Sequence, residues 1–268
     1  MKQLLVALSL ALMSAPFGLS AAESLMVEGP TWAEISGDIV GDVALQDGGA
    51  LLSVDAPYRA EDAATVPVVI EQTDTGPVIT ALKLVVDENP SPLVAEFRFG
   101  PAMHPLKLET RVRVNQYSNL RVIADTAGGS FMTGRYVKAS GGCSAPATKD
   151  PEAALAGMGE MRLKLFEPAE VQQSTARREA QIMIRHPNYS GLQRDQITQL
   201  FIPAHFIHEL EVWQGADLLF ALEGGISISE NPVFRFDYSD NGAPALRVHA
   251  VDTEGNVFDR MLPKDPPA

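Results

Sequence analysis

Much of the chain alternates apolar and polar residues with a period of two. Residues 107–114 read Lys-Leu-Glu-Thr-Arg-Val-Arg-Val. Leu108, Val112 and Val114 therefore share one face with Thr110, and the charged side chains take the other, the pattern of a half-buried antiparallel strand. Similar runs occupy residues 66–71, 78–87, 93–99, 120–125 and 131–138, and turn residues such as Thr75-Gly76-Pro77, Glu88-Asn89-Pro90 and Ala127-Gly128-Gly129 separate many of them. A second series starts near Glu160, where Met161, Leu163 and Leu165 alternate with charged residues, and continues through 177–185, 206–213, 217–222, 233–238 and 245–251. Asn241-Gly242 is a strong hairpin signal within it. Short strands at this spacing predict β-sandwiches. Residues 25–36 carry a weak helical pattern around Trp32, and both Trp32 and Trp213 are expected in the core.

Between the two series the alternation stops. Residues 139–148 are almost entirely Gly, Ser, Ala and Pro around one cysteine. Such a segment offers little apolar area to bury, which predicts a mobile stretch. Asp150 followed by Pro151 then reads as a helix start, with a short helix ending at Gly157 or Gly159. The expected fold is all-β: two immunoglobulin-like sandwiches, at 23–143 and 160–268, joined over 144–159 by a linker with a short helix.

The N-terminus changes the compartment. Lys2, an apolar run from Leu4 to Met13 and the small residues Ser20-Ala21-Ala22 form a signal-peptide pattern, with cleavage expected after Ala22. The run of about ten residues falls short of the roughly 20 that span a bilayer. The absence of a twin arginine implies export of the unfolded chain, and no cofactor is expected. The whole chain has a net charge of -13, and loss of the signal peptide removes one lysine and no acid. That acidity disfavours nucleic acid and anionic membranes as partners.

One cysteine remains, Cys143, so an intrachain disulfide is excluded. An exported chain usually pairs its cysteines or has none, and an odd one calls for a separate role. Gly142 and Ser144 flank it, and no apolar periodicity surrounds it. This predicts an exposed, reactive thiol, with Gly141 and Gly142 giving its arm freedom. The histidines read as structural. His205 and His208 are three apart in a run that looks like strand, which points them to opposite faces. His208-Glu209 has no second histidine four positions on, so it is no zinc-protease motif. No metal site is expected. Asn188-Tyr189-Ser190 matches the short glycosylation pattern. Phosphate loops, nucleophile elbows and paired catalytic carboxylates are absent, so no catalytic residue is assigned.

Several motifs, in order, resemble a known pair of families. Residues 55–57, 60–68, 87–93 and 110–114, together with Gly141-Gly142-Cys143, are similar to SoxY, the sulfur-carrying subunit of the thiosulfate-oxidising Sox system. Residues 184–187, 190–192, 202–207 and 226–234 resemble its partner subunit, SoxZ. The closest resemblance is to fused SoxYZ-like carriers associated with quinoprotein dehydrogenases. It implies two immunoglobulin-like domains paired within one chain. It also implies a non-catalytic periplasmic carrier that holds sulfur intermediates covalently on Cys143, on a swinging arm containing Gly141 and Gly142. The partners would be enzymes of a sulfur-oxidising or quinoprotein dehydrogenase system. The alternative is an accessory role without covalent carriage. In SoxY the motif is Gly-Gly-Cys-Gly-Gly at the C-terminus, whereas here Ser144-Ala145-Pro146 comes next and the chain continues. The arm would thus be tethered at both ends.

Overall fold

The computed structural model describes residues 25–146, 155–166 and 177–264. The signal-peptide segment lies outside the described residues, as does the expected helix start at Asp150; of that helix Leu155 and Ala156 are described, and both are helical. The first element is α1 (Thr31–Val40), a few residues later than the helical pattern suggested. Gly41 ends it at φ +60, a left-handed conformation that glycine adopts freely, and its N–H donates to the Gly37 carbonyl. Trp32 is only half-buried, against expectation: α1 lies on the surface, and the Trp32 ring meets the Arg121 guanidinium carbon 4.5 Å from its centre.

Beyond α1 the chain is mostly strand. The first half contributes β1 (Leu45–Asp47), β2 (Leu52–Asp55), β3 (Val66–Gln72), β4 (Ile79–Val86), β5 (Leu93–Phe99), β6 (Lys107–Val112), β7 (Ser118–Thr126) and β8 (Gly129–Val137). The second half contributes β9 (Met161–Phe166), β10 (Arg177–Ile184), β11 (Ile207–Gln214), β12 (Asp217–Gly224), β13 (Val233–Ser239), β14 (Ala245–Asp252) and β15 (Val257–Pro263). The period-two reading holds where one face is buried. In β3, Val66, Val68 and Ile70 are buried while Pro67 and Glu71 are exposed. Burying such a side chain stabilises the fold by roughly 1.5–3 kcal/mol.

The strands form two sheets, one of order β1-β8-β7-β4-β5-β12-β11-β14-β15 and one of order β2-β3-β6-β13-β10-β9. Each sheet runs through both halves of the chain. In the larger sheet β5 pairs antiparallel with β12, from Phe99 opposite Phe220 to Ala95 opposite Gly224. In the smaller one β6 pairs with β13 at Leu108–Phe236 and Glu109–Arg235. Apolar faces of the two sheets share one buried cluster. At its centre Phe97 of the first half packs on Phe220 of the second, 6.4 Å between ring centres, and Phe220 stands edge-on to Phe236 at 5.2 Å. The seam between the halves runs along the β5–β12 and β6–β13 pairings, and the chain that leaves the end of β6 carries the contacts of the cysteine segment.

Candidate functional site

Three consecutive buried residues, Val112, Arg113 and Val114, end the alternation of β6. The sequence pattern placed Arg113 on the solvent side with the other charges of that strand, but only 1% of it is exposed. The reason is that the chain leaves the ladder after Val112 and enters the seam. There the Arg113 N–H donates to the Ser227 carbonyl at 2.7 Å, and the Arg113 carbonyl accepts from the Asn89 amide at 2.7 Å. The Val114 N–H donates to the carbonyl of Ala63. The extra backbone laid down here is a shelf of residues 113–115.

The cysteine segment lies on that shelf. Gly141 N–H donates to Asn115 O at 2.8 Å and Gly142 N–H to Val114 O at 3.0 Å. Its own carbonyls are held too. Arg113 Nη1 donates to Gly142 O at 3.1 Å, the Ser190 hydroxyl donates to Cys143 O, and Gln193 Nε2 donates to Ala145 O at 3.0 Å. One of these donors comes from the first half and two from the second. Cys143 is consequently 0% exposed.

This corrects the expectation of an exposed thiol on a freely moving arm. Small side chains did leave the segment without an apolar face, but hydrogen bonds to its backbone dock it instead. The glycines are explained differently as well. Gly141 sits at φ +80 with open space where a side chain would go. At Gly142 a Cβ would lie 2.0 Å from the Ala63 carbonyl oxygen and 2.7 Å from that of Val114, so only glycine permits the close approach.

Around the sulfur, the Ser227 hydroxyl makes a hydrogen-bonding contact and the Arg113 guanidinium supplies positive charge. Burial nevertheless dominates and pushes the Cys143 thiol up from its ordinary range, against the smaller pull of Arg113 and Ser227. The docked sulfur is a protonated, enclosed thiol, which is a poor nucleophile. Ser227 is itself fixed, accepting from Asn89 Nδ2 at 2.9 Å and donating to the Ser91 carbonyl at 3.1 Å. Asn89, Arg113, Ser190 and Ser227 fall in motifs read from the sequence, but neither they nor Gln193 were assigned to the cysteine site. Polar residues scattered over four separate stretches carry no local periodic signal.

A second polar cluster borders the site. His186, His205 and Asp252 are buried, and their ligand-type atoms lie within 4.8 Å of one another. His205 Nε2 is 2.7 Å and His186 Nε2 3.3 Å from the same oxygen of Asp252, which Asn256 Nδ2 also reaches at 2.8 Å. The chemistry of His186 speaks against a metal ion here. Its Nδ1 accepts the Asn188 N–H at 3.1 Å, so the ring proton sits on Nε2 and points at Asp252. A metal-bound histidine normally donates from its other nitrogen, whereas this one accepts. The cluster works as a hydrogen-bonded strut for the loop that carries Asn188. His208 is apart, on the opposite side of its strand, near Glu209. Asn188 does not fit a glycosylation acceptor: it is fully buried, and its amide donates to Ser229 O at 3.2 Å. Its carbonyl accepts from Arg113 Nη2 at 3.2 Å, linking the strut to the cysteine shelf.

Among the described residues no helix is long and apolar enough to cross a membrane. Similarity to known proteins divides the chain in the same way as the seam. Residues 37–143 match the family model "Sulfur oxidation protein SoxY", a match that ends on Cys143 itself. Residues 166–262 match "Sulphur oxidation protein SoxZ". No curated protein matches the chain. Among solved structures, the sulfur carrier protein SoxY from Chlorobium limicola f thiosulfatophilum is similar at 29% identity, over 40% of this chain and 94% of that one, with a TM-score of 0.34. With a SoxY match and then, in order, a SoxZ match, this chain is a fused, SoxYZ-like protein.

Proposed function

We propose that the protein is an exported, periplasmic carrier that holds a sulfur-containing intermediate covalently on Cys143 and presents it to partner enzymes. It supplies a platform and no catalytic group of its own. The observation that carries this reading is the way Cys143 is buried. It is the one cysteine, it stands where the SoxY match ends, and it is enclosed by a latched segment rather than woven into a strand ladder. A latch of a few hydrogen bonds can open locally at a small fraction of the stability of the whole fold. Closed, it shields the thiol; open, it hands the thiol to a partner. Oxidative coupling of Cys143 to a sulfur anion through an S–S bond removes the thiol proton and two electrons, which the loading partner must accept.

A second reading is an accessory protein for a periplasmic quinoprotein dehydrogenase, with no covalent carriage. What favours it is the raised pKa of the Cys143 thiol, since burial disfavours the thiolate that covalent loading needs. Intact mass of the protein isolated from its native source separates the two. The carrier reading predicts mass increments of sulfur or sulfonate that are lost on reduction and absent in Cys143→Ser. An unmodified mass under sulfur-oxidising growth, with Cys143→Ser fully functional, would favour the accessory role.

A further inference from the structure

Arg113 has more hydrogen-bonding capacity and more charge than its surroundings use. Its guanidinium is 1% exposed and spends Nη1 on the Gly142 carbonyl and Nη2 on the Asn188 carbonyl. Its Nε–H is buried without any hydrogen-bond partner. Cys143, Glu230 and Asp62 attract it, in that order, and among the described residues no carboxylate lies within ion-pair distance of it. A buried cation without a counter-ion is strongly unfavourable, and an orphaned buried donor adds to that. Burial favours the neutral form of the Cys143 thiol, which makes the bare thiol a weak counter-ion for Arg113.

We propose that Arg113 is the counter-ion for an anionic group carried on Cys143, so that the docked segment accepts a cysteine extended by a short, negatively charged sulfur group in preference to a neutral extension of similar length. This rests on the reading of Cys143 as an attachment point. Arg113 holds the carbonyl of the residue before the cysteine, and its charge is felt at the sulfur. An S-sulfonate or persulfide terminus is ionised at neutral pH and would give the guanidinium its missing partner through a charge-assisted hydrogen bond. Arg113 acts here as a specificity residue: loaded and protected states become compatible for anionic cargo, while a neutral adduct leaves the cation unpaired and is pushed out.

The test needs no partner enzyme. The full chain is unfolded in urea and modified at Cys143, then refolded. Attack of the Cys143 thiolate on tetrathionate forms one S–S bond, leaves Cys143–S–S–SO3⁻ and releases thiosulfate. Attack on methyl methanethiosulfonate leaves Cys143–S–S–CH3 and releases methanesulfinate. Hydrogen exchange at the Gly141 and Gly142 amides then reports docking, since both donate to the shelf. The expected result is exchange at least about tenfold slower for the anionic adduct than for the methyl adduct, a ratio that corresponds to one charge-assisted bond. In Arg113→Gln the difference should vanish. Adducts that exchange alike in the wild type overturn the proposal, as does a preference that survives in Arg113→Gln. If that variant does not fold, the wild-type pair decides alone. The native-mass measurement can fail without touching this docking preference, so the two claims fall separately.

Discussion

At Gly142 the site depends on an absent side chain. A Cβ there would collide with two backbone carbonyls, and backbone cannot move aside as a flexible side chain can. Gly142→Ala should therefore unseat the segment and leave the sheets intact. Reaction of the folded protein with a maleimide should speed up by about tenfold or more, the factor that ~1.4 kcal/mol of lost docking produces. Unchanged labelling would show that the shelf contact is not what holds the thiol. The sequence made Gly142 conspicuous but gave the wrong reason for it. A glycine needed for freedom and one needed for close approach look identical until the neighbouring backbone is known. Arg113 was misplaced for a related reason: period two assigns faces only while the strand lasts, and β6 ends at Val112, one residue too soon.

Among the elements, the loop between β10 and β11 does most of the latching. It carries Ser190 and Gln193, which hold the Cys143 and Ala145 carbonyls, and it is braced by Asn188 on the buried histidine pair. Each neutral hydrogen bond of this kind contributes about 1 kcal/mol, so Ser190→Ala and Gln193→Ala should each raise the thiol labelling rate about fivefold. The double variant should show the product if the two bonds open together, and labelling kinetics of the three variants would show it. Several of the long strands, including β3, β10 and β13, were legible as elements, because each buries alternate residues over five or more positions. β1, β2 and β15 were not. The first two have three and four residues, and β15 buries only Phe258 and Leu262 along its edge position. The loop's own role was invisible, since hydrogen bonds to another segment's carbonyls leave no trace in its residue pattern.

Over the whole molecule, continuous sheets couple the halves, and the acid response of the fold should come from the buried histidine cluster that borders the cysteine site. Burial pulls His186 below its ordinary range, outweighing the support of Asp252 and Asn188. The folded protein thus holds fewer protons there than the unfolded chain at mildly acid pH. That contribution to stability is fully present above the unfolded value of about 6.5 and is lost as pH falls below it. Burial would raise Asp252, but hydrogen bonds from Asn256, His205 and His186 outweigh it and hold the carboxyl well below the usual range. Its contribution is present above about pH 4 and declines below that. Thermal midpoints should accordingly fall between about pH 7 and 5 and again below about pH 4. His186→Gln should flatten the first decline, and a slope unchanged in that variant would assign the titration elsewhere.

The central claim is that Cys143 is enclosed at rest and released by local opening. Thiol labelling across a denaturant series, set beside global unfolding of the same protein, tests it most directly. Local release predicts labelling that is slow compared with the unfolded chain, faster than global unfolding allows, and only weakly dependent on denaturant, because little surface is exposed when the segment lifts. Labelling that tracks global unfolding in both rate and denaturant dependence would mean a thiol locked into the core, and would contradict the carrier account.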